Sequence, residues 1–477
     1  MTLTPVQQSA YSNIQTRLDE GTFSDVNEAD LTAVRETLKG LSATDTDAVI
    51  DAMQGSGLLG RLAEESNDSE FLGMGQDGFD AGERKRLFDD LAGKLDGSSL
   101  AAVSTAFAGA ETGEDDLDVV TDLAASVGQR ATSQAKLDYI GALADSTDGS
   151  GISVRLNTSY GSATLTRHVD SEAAAIGTVL STMSGPYAEA AFGRLSDTAL
   201  ANVLRTGVDE NSSNAGTGGG STFDSARFEG VLRAASTVGN SEAGIALKAR
   251  VFDAAGERLG AVDDAGKGLG FYAENEDALT GMTASMTELL NTDTGGIMRQ
   301  LTFDGSTAGG TAMTHYAESM IRTGQTEALA DIVVDLQFGN GHNQNPVTHL
   351  DQVFRTSGGE ELRENAGALG YFLGSVYAGA ADRTSDVKAQ QEEITGLLNF
   401  VAGKIPVAGG FSAGDGALGQ DAIKKAVEMA IKDVGAAPAQ RLELAAMPRD
   451  PNGRQIAGDD ITTVFRTQLE AVRRAQE

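Results

Sequence analysis

The chain has 477 residues, and its 36 Lys and Arg against 69 Asp and Glu give a formal net charge of −33. It contains no Cys and no Trp, but 59 Gly and only 7 Pro. The absence of Cys excludes disulfide scaffolds, thiolate zinc sites, cysteine nucleophiles and iron–sulfur clusters. The acidic charge argues against nucleic acid as a partner, because a surface that neutralises phosphates needs basic side chains.

The first residues, Met1-Thr-Leu-Thr-Pro-Val-Gln-Gln, contain no basic region followed by an apolar run, so we expect no secretory signal peptide. We therefore expect synthesis in the cytoplasm and, if the chain is exported, a route that does not use such a signal. No run reaches the roughly 18–20 apolar residues that span a bilayer. The nearest stretch, 396–411, is interrupted by Lys404 and Pro406. It is interpreted as a buried helix end and turn, with a membrane-touching segment as the alternative, and we predict no stable membrane span.

Helical periodicity dominates the sequence. Leu87, Phe88, Leu91 and Leu95 form one apolar stripe at helical spacing. Comparable stripes are Leu117/Val120/Leu123/Ala124/Val127, Phe228/Val231/Leu232/Ala235, Met286/Leu289/Leu290 and Leu329/Ile332/Val333/Leu336. Abundant Ala and scarce Pro favour helix interiors. The sequence therefore predicts an all-α fold.

Capping residues mark where several helices begin. Ser42, Asp96 and Ser196 each follow a Leu and precede a helical stretch, as residues that cap a first helical turn do. In all three places a Val stands eight positions after the Leu. We interpret this pattern as stacked helical hairpins in a repeat-like array with a unit near 50 residues. Chance similarity is the alternative, because helix–turn–helix joints use the same few residue types.

Two stretches interrupt the helical pattern. Residues 149–169 alternate β-branched and polar residues and predict a short β-hairpin or an ordered loop near 150–169. Residues 211–221 are rich in Gly, Ser and Asn and predict a flexible loop. We predict a helical array over 1–148, a second helical region over 149–350 with inserted loops at 149–169 and 211–222, and a helical hairpin with C-terminal helices over 351–477.

The motifs that resemble reactive sites have simpler interpretations. Gly410-Phe-Ser412-Ala-Gly414 fits the G-x-S-x-G turn of serine hydrolases, but all four His precede Ser412, whereas in that fold the His follows the serine. His342, His349 and Asp351 lack the spacing of a metal site and are interpreted as loop residues. Two G-x-G-x-x-G matches, at 55–60 and 414–419, are interpreted as helix ends. We therefore predict no catalytic, cofactor-binding or metal site.

Four segments in a fixed order carry a family resemblance: 82–96 (GERKRLFDDLAGKLD), 134–143 (QAKLDYIGAL), 247–256 (LKARVFDAAG) and 369–379 (LGYFLGSVYAG). With the Ser/Thr/Gly-rich loop between the second and third, they resemble the α-helical N-terminal region of large proteobacterial secreted polymorphic toxins. The resemblance implies a helical region that serves delivery, while a variable C-terminal domain carries the toxic chemistry. After the turn at 446–451 and a last helix over 462–476 we expect no separate toxin domain, so that any chemistry comes from another chain.

The sequence thus favours a non-catalytic protein-interaction or delivery module of a bacterial secretion or inter-bacterial competition system. Its expected partner is a protein: a secretion component, a chaperone or a toxin chain. Two alternatives remain at this point, a serine hydrolase that uses Ser412 and a cytosolic helical scaffold.

Overall fold

The structure is a computed structural model of the chain. It describes residues 3–19, 26, 28–66, 79, 81–109, 116–147, 152–158, 161–167, 170–207, 209–211, 222–268, 276–303 and 310–325. Further along it describes the positions 328, 329, 332, 336, 364, 367, 368, 370–372, 374–376, 378, 379, 467 and 471. Most of the predicted third region, 351–477, therefore lies outside the described residues.

Helices account for most of the described chain, which confirms the predicted all-α class. The first eight are α1 (Pro5–Asp19), α2 (Glu28–Gly40), α3 (Ala43–Ser56), α4 (Leu58–Ser66), α5 (Ala81–Ala92), α6 (Gly97–Gly109), α7 (Asp116–Arg130) and α8 (Ser133–Ala144). They are followed by α9 (Ser171–Leu180), α10 (Gly185–Phe192), α11 (Asp197–Thr206), α12 (Ala226–Ser236), α13 (Glu242–Gly268), α14 (Glu276–Asn291), α15 (Thr294–Phe303) and α16 (Thr311–Arg322). The short strands are β1 (Ile152–Thr158), β2 (Gly161–Arg167), β3 (Asp209–Asn211) and β4 (Thr222–Asp224).

The chain divides into two compact units. The first comprises residues 1–219 and 223–238, and the second comprises 220–222 and 239–477. The predicted boundary at 148/149 falls inside the first unit, and the predicted boundary at 350/351 lies outside the described residues. The division into three regions stays a prediction.

The first unit is a stack of helical hairpins in two layers. Helices α2, α5, α7, α9 and α12 form one layer, in which each contacts the next. Helices α3, α6, α8 and α10 form the other layer in the same manner. Helix α1 packs on α2, α3 and α4 at the start of the stack through one buried stripe, while its opposite side is exposed. A polar outer face of this kind is what a terminal element of a stack requires.

Apolar stripes hold the hairpins together, as the periodicity predicts. Leu87, Phe88 and Leu91 are buried on α5, and the ring of Phe88 meets that of Phe107 on α6 edge to face, with centroids 5.1 Å apart. Edge-to-face pairs add about 0.5–1.5 kcal/mol to the free energy of burial. The contact joins the two helices of one hairpin.

Helix α9 lies at the centre of the first unit. It contacts α6, α7, α8, α11 and α12, and of its ten residues only Glu172 and Thr178 are not buried. Small side chains, among them Ala173 and Gly177, allow these close approaches; a Cβ added at Gly177 would lie 3.3 Å from Val203 of α11. The third copy of the Leu–cap–Val pattern thus begins α11, an additional helix that covers α9. The first two copies begin the equivalent helices α3 and α6.

Two antiparallel pairs of strands interrupt the helices. Strands β1 and β2 pair from Ile152 opposite Arg167 to Thr158 opposite Gly161, so that the β-hairpin is the correct one of the two predicted alternatives for 149–169. Strands β3 and β4 pair with each other at the two ends of the predicted Gly/Ser loop. Residues 212–221 of that loop lie outside the described residues.

The second unit is organised around the long helix α13, which contacts α14, α15 and α16. Gly256 on α13 permits close contact with α16: a Cβ added there would lie 2.5 Å from the Cβ of Ala312. Beside this contact, the rings of Phe252 and Tyr316 meet edge to face at 5.3 Å, and the Tyr316 hydroxyl lies 2.6 Å from the Thr287 hydroxyl of α14. Gly379, from the predicted helical hairpin, packs against the backbone of α16.

Candidate functional site

The tight turns that join the two layers of the first unit lie in a row, which we call the turn edge. It comprises the turns 40–42, 93–96, 131–132 and 181–184, which join α2 to α3, α5 to α6, α7 to α8 and α9 to α10. The side chains of Ser42, Asp96 and Thr132 each accept a hydrogen bond from a backbone N–H three residues on, at 3.2, 2.8 and 3.2 Å. The predicted caps Ser42 and Asp96 are thereby confirmed, as is Ser196 on α11, at 3.1 Å.

Hydrogen bonds connect the first two turns of the edge. The Lys94 ammonium donates to the carbonyl oxygens of Leu41 at 2.9 Å and of Leu38 at 3.3 Å, and also to that of Lys39. These groups belong to the C-terminal end of α2, where carbonyls have no partner within the helix and the dipole favours a cation. In return, the Asp47 carboxylate accepts the backbone N–H of Asp96 at 2.9 Å.

The second and third turns touch through a glycine. A Cβ added at Gly97, the first residue of α6, would lie 2.3 Å from the carbonyl oxygen of Ala135 and 2.5 Å from the backbone nitrogen of Tyr139, both on α8. Only a glycine allows the start of α6 to approach the backbone of α8 this closely.

Similar contacts continue along the edge. Lys136 on α8 donates to the Thr182 hydroxyl in the next turn at 3.2 Å. Arg194 donates to the carbonyl oxygen of Leu137 at 2.7 Å and to the Asp138 carboxylate at 3.1 Å. The backbone N–H of Gly185 donates to the Thr237 hydroxyl at the end of α12, at 2.8 Å. Hydrogen bonds thus join the first turn to the second and the third turn to the fourth, whereas the second and third turns meet in the close backbone contact at Gly97.

The acidic groups of this edge have shifted pKa values. Burial raises the pKa of Asp47, and the nearby charge of Asp96 adds to this effect, although the hydrogen bond from Asp96 N–H opposes it. Burial also acts to raise the pKa of Asp96, but hydrogen bonds from Ser99 N–H and from the Ser98 hydroxyl stabilise its charged form, and the pKa is lowered. Asp96 therefore remains a charged cap in neutral solution.

Small polar side chains are common on the outward side of the turn edge. Among the exposed residues are Ser42, Thr44, Thr132, Ser133, Thr182 and Ser184. Lys94 and, beside the third turn, Lys136 add positive charge to this edge, although the chain as a whole has a net charge of −33. Such a surface can exchange hydrogen bonds with another protein without strong electrostatic repulsion.

The described residues contain no group of three or more His, Asp and Glu that could hold a metal ion. Of the four His, the structure describes His315, whose Nδ1 lies 3.2 Å from the carbonyl oxygen of Gly256. Ser412, His342, His349 and Asp351 lie outside the described residues. The predicted absence of catalytic, cofactor and metal sites therefore stays a prediction.

The first glycine-rich motif is a helix end, as predicted. Gly57 adopts a left-handed conformation, with φ 79°, between α3 and α4, where its N–H bonds to the carbonyl oxygen of Gln54. The second glycine-rich motif, at 414–419, is outside the described residues.

A buried lysine in the second unit was not foreseen from the sequence. Lys248 on α13 has 0 % exposure, and its ammonium donates to the side-chain oxygen of Asn240 at 2.5 Å. The Asn240 amide in turn donates to the carbonyl oxygen of Thr292 at 2.9 Å, beside Asp293, which caps α15. Burial lowers the pKa of Lys248, and the charge of Asp293 acts in the opposite direction.

Lys248 occupies a helix position that is apolar or aromatic in other capped helices of the chain. Ser241 caps α13 by accepting the N–H of Gly244, and Lys248 stands seven residues after that cap. In four other capped helices the residue seven positions after the cap is apolar or aromatic and has 0 % exposure. These residues are Val49, Val103, Tyr139 and Val203, after the caps Ser42, Asp96, Thr132 and Ser196. A charged side chain therefore occupies a place that is uncharged in the other capped helices compared.

Among the described residues, no helix combines the length and the apolar character needed to cross a membrane. No family model and no curated protein matches the chain. One solved structure was matched, a circular tandem repeat protein described as having a novel repeat topology and enhanced subunit contact surfaces. It shares 11 % identity over 98 % of this chain and 96 % of its own, with a TM-score of 0.29, a value too low to support a conclusion about fold or function.

Proposed function

We propose that this chain is a non-catalytic protein-interaction module whose partner binds along the turn edge of the first unit. The observation that carries the proposal is the row of turns, which present exposed hydroxyls on a backbone fixed by Lys94, Gly97 and Lys136. A stack in which each hairpin contacts its neighbours offers one long continuous edge, and such edges suit extended protein partners.

The biological setting of the module is also a proposal. We infer a role in delivery within a bacterial secretion or inter-bacterial competition system, with a secretion component, a chaperone or a toxin chain as the partner. The support for this setting is the resemblance of the segments 82–96, 134–143, 247–256 and 369–379 to the helical region of polymorphic toxins.

The test compares two double variants of the full chain. Thr44→Arg with Ser133→Arg adds two positive charges to exposed first-turn positions of α3 and α8 on the turn edge. The matched control, Ser9→Arg with Asn13→Arg, adds the same two charges to the exposed side of α1. A partner captured by the parent chain is identified by mass spectrometry, purified, and titrated against all three proteins by calorimetry.

We expect the turn-edge variant to bind at least about tenfold more weakly, which corresponds to about 1.4 kcal/mol, and the α1 variant to bind like the parent. Equal weakening by both variants would place the partner elsewhere on the chain. The absence of any captured partner from the producing cells would remove the proposal.

A further inference from the structure

The β1–β2 hairpin has one apolar and one polar face. In the antiparallel register, residues that lie opposite each other share a face. One face carries Ile152, Val154, Leu156, Ala163 and Leu165, whereas the other carries Ser153, Arg155, Asn157, Ser162, Thr164 and Thr166. A hairpin of two strands is marginally stable in water, and independent stability requires three or more strands with an apolar face, or packing against a helix.

No other described strand lies along either outer edge of this hairpin. Within the described residues, β1 and β2 form a sheet of only two strands. The loop between Thr158 and Gly161 has two residues. In hairpins with such a loop, the two residues that flank it exchange two backbone hydrogen bonds, and hydrogen-bonded pairs then alternate with non-hydrogen-bonded pairs along the strands. The backbone groups of Ser162, Thr164 and Thr166 on β2 therefore point outward, as do those of Ser153, Arg155 and Asn157 on β1.

We propose that two copies of this chain associate through the outer edge of β2, with Thr164 opposite Thr164 of the second copy, and thereby form a four-stranded antiparallel sheet. The sequence of β2 is complementary to itself in this register. Ser162 then meets Thr166, Ala163 meets Leu165, and Gly161 meets Arg167. Because residues opposite each other share a face, both apolar faces lie on the same side of the sheet.

Charge selects β2 rather than β1 for this contact. Pairing β1 with itself about its centre would place Arg155 opposite Arg155 of the second copy, and like charges directly opposite are destabilising. The charged residue of β2 is Arg167, three positions from the central Thr164. In the proposed dimer the two Arg167 residues are therefore about 20 Å apart along the strands. At physiological ionic strength this distance exceeds the screening length of about 8 Å.

The rest of the chain is consistent with a contact through this segment. Residues 149–169 contain no Asp or Glu, in a chain that has 69 of them. Two copies with net charges of −33 repel each other, and a segment without acidic residues brings no further carboxylates together at the contact. The proposed association concerns two copies of the chain and is independent of the partner on the turn edge.

The absence of Cys allows a direct test by disulfide formation. Thr164→Cys in the full chain introduces a single thiol, and the proposed register places the two copies of this position about 5.5 Å apart at Cα, within the range that a disulfide spans. We expect oxidation to link most of this variant as a dimer. The matched control is Arg155→Cys, which introduces a single thiol at the centre of the other edge and is expected to form no disulfide link between copies under the same conditions.

Proline substitution tests the hydrogen bonds themselves. Thr164→Pro removes an outward N–H of β2 and leaves the bonded pairs of the hairpin in place, whereas Arg155→Pro does the same on β1. Analytical ultracentrifugation of the full chain should show dimers of the parent, at least tenfold weaker association of Thr164→Pro, and no loss for Arg155→Pro. Because salt screens the repulsion between two acidic chains, the parent dimer should tighten between 50 and 500 mM NaCl (roughly 14 and 4 Å of screening).

Several outcomes would overturn the proposal. A parent chain that is monomeric up to high micromolar concentration at both salt concentrations would exclude it. Equal disulfide formation at positions 164 and 155 would indicate random collision, and dissociation by Arg155→Pro alone would place the contact on β1. None of these outcomes affects binding at the turn edge, which is measured on separate variants.

Discussion

Both units contain a lysine that connects a helix to a neighbouring turn, but the two lysines lie in different surroundings. Lys94 in the first unit is partly exposed and donates to backbone carbonyls at the end of α2. Lys248 in the second unit is fully buried and donates to the side chain of Asn240. The first lysine can add stability without losing its hydration, whereas the second gives up hydration for a few polar contacts.

The difference shows that similar hydrogen bonds contribute differently to stability. A cation near helix C-terminal carbonyls is favoured by the dipole and by unpaired acceptors. A buried cation is tolerated only while its partner remains, and an apolar residue of similar volume is often equally stable in its place. We therefore expect removal of the acceptor to be most harmful at Lys248, and removal of the lysine itself to be most harmful at Lys94.

The largest effect should come from Asn240→Ala. This change removes the side-chain acceptor of a buried ammonium group, and we expect the second unit to lose about 2–3 kcal/mol. Hydrogen exchange of the α13 and α15 amides measures the loss locally. As a control, the double variant Asn240→Ala with Lys248→Met should recover most of it, and a failure to recover would show that Asn240 acts independently of the lysine.

Lys94→Met should have the next largest effect. The variant keeps most of the apolar stem but loses the bonds to Leu38 and Leu41, and we expect a loss of about 1–2 kcal/mol in the first unit. The hydrogen-exchange rates of the last backbone amides of α2 measure this loss of stability. If Lys94→Met were no more costly than Lys248→Met, the contrast between the two lysines would be wrong.

Asp96→Ala should cost about 1 kcal/mol, because it removes a charged cap from α6. The chain offers a matched control in Ser184→Ala: Ser184 occupies the cap position of α10 but makes no capping hydrogen bond through its side chain, and its removal should be nearly neutral. Urea unfolding followed by circular dichroism compares the two. A cost at Ser184 equal to that at Asp96 would contradict the assignment of Asp96 as a cap.

The smallest effect is the pH dependence that Lys248 contributes. Its pKa is lowered in the folded chain, so the unfolded chain binds more protons once the pH rises through the folded value. Stability of the second unit should therefore rise with pH between that lowered pKa and the ordinary 10.5, relative to Lys248→Met. Hydrogen exchange of the parent and of Lys248→Met is measured over this pH range. The difference between the two gives the contribution of Lys248 separately from that of other groups that titrate in the same range.

The sequence predicts well those features that depend on neighbouring residues. The apolar stripe at Leu87, Phe88 and Leu91, the caps Ser42 and Asp96, and the hairpin near 150–169 are all present, because periodicity, capping and alternation are local properties.

Features that depend on distant residues were not predicted. Gly207 lies where Phe228 approaches its backbone; an added Cβ would lie 3.0 Å from the Phe228 nitrogen, a tight contact. The hydrogen bonds of Lys94 to the end of α2 and of Asn240 to Thr292 join residues that the period of one helix cannot relate. Counting seven residues from each cap would have singled out Lys248, since the equivalent positions in four other capped helices are Val or Tyr.

The burial of α9 on nearly all sides limits how the chain can be cut. A fragment that stopped before residue 197 would keep α7 and α8 but would leave the side of α9 that faces α11 in water, with Val203 missing from its contact with Gly177. The smallest piece of the first unit that folds by itself should therefore extend through α12 to residue 238. Expression trials that end earlier should yield insoluble or protease-sensitive protein.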